Sequence, residues 1–311
     1  MSATGTTVTA PQMVMSVPTT ARQMRGVRRG AAAWPPSLVL GALLLVLLSG
    51  AAITAGTITA GSPFKAAGTP LRSPSAAHWL GTDDLGRDVL TRVVYGGRVS
   101  LLVGVMVAVT SAVVGTAVGA SAGFFGGATD DVLMRITETV QAMPRFFLAI
   151  IVAALFGNRV WVIGLLLGLT FWPPTARLLR AQILSLRERE FVLAARTIGA
   201  SESRILWRHV LPHALPIVLV SAALQVGSAM LVEAGLSFLG LGDQSAVSWG
   251  AMLNAAQMFV RTAWWMSLFP GLAITMAVLG ANLSADGLQD MLDPRRAVRR
   301  SVTVTQTRSK A

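Results

Sequence analysis

The chain has no cysteine and only 14 acidic residues in 311. Without cysteine there is no disulfide, no thiolate nucleophile and no cysteine-held metal. Charged residues make up 13% of the chain, against roughly a quarter in soluble proteins. Histidine occurs three times, as His78, His209 and His213. None stands in an H-E-x-x-H pattern, and there is no G-x-S-x-G and no G-x-x-x-x-G-K-[ST]. The nearest glycine-rich text, GASAGFFGGATDD, lacks the phosphate-binding lysine. The chain therefore carries no motif for metalloprotease, serine-hydrolase or nucleotide-hydrolysing chemistry.

What fills the space is apolar. Hydrophobic residues make up 53% and the mean hydropathy is +0.62. Six runs approach the ~20 residues a spanning helix needs. They lie at about 37–59, 99–123, 136–156, 160–179, 213–237 and 264–284. The expected fold is an all-α polytopic membrane protein over residues 35–295. Basic tails flank it, a disordered one at 1–34 and a second at 296–311. The fourth run is expected to kink near Pro173–Pro174. In the second, Gly104, Gly115, Gly119 and Gly123 include two four-residue spacings, which let helices approach closely in lipid.

Six spans put both ends on one side. With the N-terminus inside, 18 of the 26 Lys and Arg fall on inner segments and 7 on outer ones, leaving Arg145 within a run. That bias places both termini in the cytoplasm. The net charge of +12 is explained by orientation and anionic lipid rather than by nucleic acid, because the arginines form no aromatic-interleaved patch.

The most charge-rich internal stretch is Ser185 to Pro216, SLREREFVLAARTIGASESRILWRHVLPHALP. It reads as helix, break, helix. Ser185 and Glu188 fit a capping box for a helix over 186–198. Gly199 is placed to end it in the left-handed conformation. Ser201 can cap a second helix, with Glu202 in its first turn. Such a hairpin on the cytoplasmic side suits a grip by a soluble partner.

The long outer loop holds HWLGTDDLGRDVL. Leu85, Val89 and Val93 recur every fourth residue, so 85–95 is expected to be an amphipathic surface helix. His78 with Asp83, Asp84 and Asp88 does not make a defined metal set. Asp83, Arg87 and Asp88 are expected to pin the loop instead. Of the two carboxylates inside apolar runs, Glu138 is expected to pair with Arg135 near the surface. Glu233 could line a pathway, touch a partner or pack structurally.

These pieces resemble one family. The hairpin resembles the signature loop of bacterial ABC-importer permeases, with Ala194, Ala195, Gly199, Ile205, Leu211 and Pro212 on the pattern and Leu193 where it has glutamate. His78, Leu80, Gly81, Thr82, Asp83, Gly86, Arg87, Asp88, Gly97, Arg98, Ser100 and Leu101 resemble the outer loop of one permease subunit of dipeptide, oligopeptide and nickel importers. The runs 235–242, 248–253 and 269–295 are similar to its later spans. Arg145 stands where that family usually has a small or apolar residue.

The resemblance implies a type I ABC-importer permease, not an enzyme. It implies a bacterial inner-membrane location and a coupling loop including Glu190, Leu193, Ala194, Ala195, Gly199, Ala200, Ile205, Arg208, Leu211 and Pro212. The implied partners are a homologous second permease, two cytoplasmic ATPases that hold the ATP–Mg, an external substrate-binding protein and membrane lipid. No cofactor is bound by this chain. Peptides are the expected cargo. Nickel or another small solute is the alternative, and a proton-coupled secondary transporter a more distant one.

Overall fold

In hydrocarbon every backbone N–H and C=O has to be satisfied within the segment, so apolar runs fold as helices. The computed structural model describes residues 34–59 and 61–292. The tails at 1–33 and 296–311 lie outside the described residues. In chain order the helices are α1 (Pro36–Ile53), α2 (Ala55–Ile58), α3 (Val89–Phe125), α4 (Gly127–Ala142), α5 (Arg145–Phe156) and α6 (Val160–Leu186). Then come α7 (Glu190–Thr197), α8 (Glu202–Ile205), a π turn (Leu206–Val210), α9 (Leu211–Phe238), α10 (Trp249–Ala256) and α11 (Trp265–Leu292). Five of these segments are long and apolar enough to cross a membrane, and α4 with α5 makes a sixth, bent one.

The bundle is organised around α3 and α6. A Cβ on Gly119 would lie 2.4 Å from the Ala176 carbonyl oxygen, and one on Gly123 2.9 Å from that of Arg180. From the other side, Gly168 would meet Thr110 at 2.5 Å. Helix backbones thus touch through glycine on both partners, the close packing that association in lipid favours. Gly104, one further turn-set along, serves a different contact, against Val226 and Met230 of α9. α1 lies along α11, where Gly41 faces Ser284 and Gly287 faces Leu38. The start of α1 therefore meets the end of α11, and the described ends share one face of the bundle.

Several expectations are corrected. No separate helix covers 85–95. Asp88 caps α3 by accepting from the Thr91 N–H at 2.8 Å, and the span begins there. Val89 is buried, and Leu85 sits exposed in the preceding turn. Of the recurring residues, Val89 and Val93 lie on the longer helix α3 and Leu85 lies outside it. α6 does not stop at its prolines but runs on to Leu186 with Pro173 and Pro174 inside it. A spanning helix tolerates this when neighbours re-satisfy the freed carbonyls. The third run is broken instead: α4 ends at Ala142 and the chain bends sharply at Met143–Pro144 before α5. Pro144 cannot donate to a preceding carbonyl, so the helix stops. Glu138 is exposed and, among the described residues, forms no ion pair with Arg135; the Arg135 carbonyl instead accepts from Thr139.

Opposite the described ends, a short clasp joins the α5–α6 turn to the α9–α10 loop. Asn158 donates to the Gly242 carbonyl at 2.8 Å, and the Val160 N–H to Asp243 at 3.1 Å. Partial burial works to raise the Asp243 carboxyl. The Ser245 hydroxyl and N–H, the Val160 N–H and the Arg159 charge outweigh it and hold the group below its ordinary value. A depressed carboxyl stabilises the fold above its unfolded pKa, and that contribution is lost as pH falls through the folded value. Asp243→Asn is therefore expected to lower the melting temperature of the purified protein by roughly 2–4 °C at neutral pH. The gap from wild type should close in strong acid. A gap unchanged across that range would show that ionisation is irrelevant to the clasp.

Candidate functional site: a helical hairpin at one face of the bundle

The residues between α6 and α9 form a compact hairpin. α7 starts at Glu190, not Leu186. α6 ends at Leu186, and Arg189, not Ser185, occupies the N-cap of α7 without a side-chain cap bond. The capping box is therefore absent. The stop is well defined. The Ala200 N–H bonds the Ala195 carbonyl at 3.1 Å and the Gly199 N–H that of Arg196 at 2.9 Å. Gly199 has φ +80°. This pair of bonds around a left-handed glycine is the Schellman motif. Ser201 sits at the N-cap of α8 in extended conformation, without a side-chain bond. Across the turn, Arg196 donates to both carboxylate oxygens of Glu202 at 3.0 and 3.1 Å. That exposed pair contributes little energy but fixes the angle between α7 and α8.

The hairpin has an inner and an outer face, and the site residues divide between them. Val192 and Ala195 of α7, Ile205 of α8, and Leu211 of α9 are buried with Leu179 and Ile183 of α6. Together they anchor the hairpin to the bundle. Glu190, Leu193, Ala194, Gly199, Arg208 and Pro212 are exposed, and Ala200 is half-buried. Three large apolar side chains join this outer face: Ile198 is 84% exposed, Trp207 63% and Leu193 51%. Ile198 and Trp207 were not singled out from sequence. Their apolar character in a charge-rich loop was the available signal.

The hairpin is joined to the span without a flexible link. α8, the π turn and α9 form a continuous helical path over 202–238. The Leu211 N–H bonds the Leu206 carbonyl, the wide register of a π turn. Pro212 follows at once and has no N–H for the Arg208 carbonyl. The wider turn relieves the ring's clash with that carbonyl. Pro212 and Pro216 thus lie inside the helix instead of leading into it. From α7, Phe191 packs its ring 5.2 Å from that of His213, whose Nδ1 donates to the His209 carbonyl at 2.6 Å. A cavity of about 570 Å³ lies beside this contact between α6, α9 and α11. Its polar lining is Gln182, His213 and Gln289.

The opposite face is held by polar clasps. Asp83 accepts from the Leu85 and Arg87 N–H groups at 2.9 and 2.8 Å, from Arg87 Nε at 2.6 Å, and from Arg92. Asp88, besides capping α3, lies 3.1 Å from His78 Nδ1. Thr82 Oγ1 accepts from the Arg72 N–H and donates to the Thr69 carbonyl, at 2.8 and 2.7 Å. Gly81 and Gly86 have φ +77° and +73°, and a Cβ on Gly86 would lie 2.2 Å from the Gly68 carbonyl. Trp265 and Trp249 donate to the Thr82 and Val93 carbonyls at 3.0 and 2.7 Å, fastening the loop and α10 to the bundle.

Glu233 is 2% exposed. It accepts from Ser100 at 3.0 Å and from Ser237 at 2.7 Å. Of the three roles left open from sequence, these contacts fit structural packing. It packs α9 against α3, with hydroxyl donors supplying what water cannot.

A bundle of membrane-length apolar helices with an exposed hairpin on one face and a pinned loop on the other is the architecture of a membrane transport subunit. The chain belongs to the family of binding-protein-dependent transport system inner membrane components, whose profile matches residues 115–298. It is 41% identical over 226 residues to the dipeptide transport system permease protein DppC of Alkalihalophilus pseudofirmus, covering 72% of this chain and 74% of that protein. It is 44% identical over 239 residues to a probable peptide ABC transporter permease protein of Sinorhizobium fredii, covering 76% and 80%. To a putative peptide transport system permease protein of Brucella suis it is 40% identical over 265 residues, covering 84% and 89%.

Proposed function

We propose that this chain is one of two related membrane subunits of an ATP-driven peptide importer in the bacterial cytoplasmic membrane, with the hairpin in the cytoplasm. The observation that carries the reading is the hairpin. Its apolar outer face, Leu193, Ile198 and Trp207, suits docking on a soluble partner, and its inner face is packed into the bundle. Family membership supports two cytoplasmic ATPases as that partner, with ATP–Mg on them and none on this chain. The peptide cargo rests on the names of the similar proteins.

Closure of the ATPases moves α7. Because α8 runs into α9 without a break, the movement reaches the span as a rigid-body rotation rather than being absorbed in a loop. The cavity beside His213 then belongs to the passage on the cytoplasmic side. The loop held by Asp83 and Asp88 faces the external binding protein. The arginine distribution, 18 against 7, supports this orientation.

The test uses the full complex: this chain co-expressed with its sister permease and the two ATPases, purified and placed in liposomes with the binding protein. Co-purification and peptide-stimulated ATP hydrolysis with uptake are expected. The absence of native cysteine permits a second measurement. Ile198→Cys in intact cells should resist a membrane-impermeant maleimide and react in inverted vesicles stripped of the ATPases. Labelling from outside, or a complex that captures no nucleotide-hydrolysing subunit, rejects the reading.

A further inference from the structure

Arg145 is a half-buried arginine that, among the described residues, has no counter-charge. It is the first residue of α5, which ends at Phe156 on the side away from the hairpin. Eleven residues at 1.5 Å each put it about 16 Å from that end. Its neighbour on α6 gives the same depth independently. The Arg145 guanidinium carbon lies 4.9 Å over the ring of Phe171, eleven residues into a helix that begins at Val160 on the same side, again about 16 Å. Half of a ~30 Å hydrocarbon core is about 15 Å. The charge therefore stands near the bilayer midplane.

The other arginines placed within the helices have carboxylates where they are buried. Arg92 pairs with Asp83, and Arg180 with Asp130. Arg145 forms no ion pair among the described residues. Its guanidinium presents five N–H donors and no acceptor of its own. The ring of Phe171 compensates part of the lost hydration but leaves the N–H fork free for an acceptor.

The backbone at this point gives a second, independent indication. The span breaks at Met143–Pro144, directly before Arg145, and Met143, Pro144 and Phe146 are all exposed. Non-helical backbone at membrane depth is tolerated only against protein or along a water-filled passage. An unpaired intramembrane arginine beside such a break marks a substrate path or a partner contact. A carboxylate fits the fork in both cases, because guanidinium donates to it bidentately. An acidic peptide brings one on its side chain, beyond the terminal carboxylate that every peptide carries.

Resting on the peptide reading above, we infer that Arg145 receives the side-chain carboxylate of an acidic peptide at mid-membrane and biases transport toward anionic cargo. The contact is transient and adds no covalent step. The arginine sets the rate at which a bound peptide crosses, not its capture by the binding protein.

The complete complex in liposomes tests this with Ala-Glu, Ala-Gln and Ala-Lys. Arg145→Gln should lower maximal uptake of Ala-Glu about tenfold and of Ala-Lys less than about twofold, with Ala-Gln between them and KM unchanged. Arg145→Lys, which keeps the charge, should stay within about twofold of wild type on all three. An equal loss on all three peptides with the complex intact overturns the inference and leaves Arg145 a structural residue. Separation of the two permease subunits on gel filtration overturns it too, by showing that the arginine pairs across their interface. Failure of the wild-type complex to import any of the three, while still hydrolysing ATP, rejects the peptide reading and this inference with it.

Discussion

Replacing Gly199 by valine is expected to disconnect ATP hydrolysis from uptake. Gly199 stands at φ +80° with no atom within 4 Å of where a Cβ would be placed. The obstacle is therefore conformational, not steric crowding by neighbours. A left-handed residue with a Cβ costs about 1–2 kcal/mol, and a β-branched one is a stronger outlier still. The two bonds that end α7, from Gly199 to Arg196 and from Ala200 to Ala195, exist only in that conformation. Losing them lets α7 run on or fray, and Leu193 and Ile198 leave the positions that form the outer face. Uptake by the reconstituted complex should fall at least about tenfold while basal ATP hydrolysis stays within about twofold. The series Gly199→Asn, Gly199→Ala, Gly199→Val should be graded, asparagine mildest, since it enters the left-handed region more readily than alanine. Equal losses for asparagine and valine would show that side-chain size, not φ, controls the hairpin.

Sequence reasoning reached this glycine because its signal is local. A glycine at the end of a periodic stretch, followed by serine and glutamate, is a stop wherever it occurs. The same holds for the ladder of small residues on α3, whose spacing by itself implies a close neighbour. Reasoning failed where the answer depended on what lies across the bundle. Leu85, Val89 and Val93 have the spacing of a surface helix and of a buried one, and only the contact of Val89 with the α10–α11 cluster decides between them. Glu233 draws its partners from Ser100 on α3 and Ser237 on its own helix, and the first is 133 residues away. Within α7, Val192 and Leu193 are adjacent in sequence and opposite in role. The hydrophobic pattern did not say which side would meet Leu179 and Ile183. The π turn before Pro212 left a local clue, because a proline shortly after a helical start inside continuous helix asks for a wider turn before it.

The largest effect on assembly is expected at Gly119. At the α3–α6 contact two helix backbones meet, and a Cβ on Gly119 would lie 2.4 Å from the Ala176 carbonyl oxygen and 2.9 Å from its Cα. Both obstructing atoms are backbone, so no rotamer change relieves them. The helices have to separate, and with them Gly115 loses its seat on Thr175 and Gly123 its seat on Arg180. Inserting volume into a packed contact costs about 1–3 kcal/mol, and in lipid there is no hydrophobic gain between helices to offset it. Gly119→Val should leave little monodisperse protein after extraction in mild detergent, and Gly119→Ala a measurably lower melting temperature. Trimming the facing residue, as Ala176→Gly, should not rescue Gly119→Ala, because the clash is with the main chain. Gly50→Ala is the matched control: it lies in α1 with open space around the new methyl group and should purify like wild type. If Gly119→Ala behaves like Gly50→Ala, the backbones of α3 and α6 do not meet here, and the rigid frame from which the hairpin drives α9 has to be sought elsewhere.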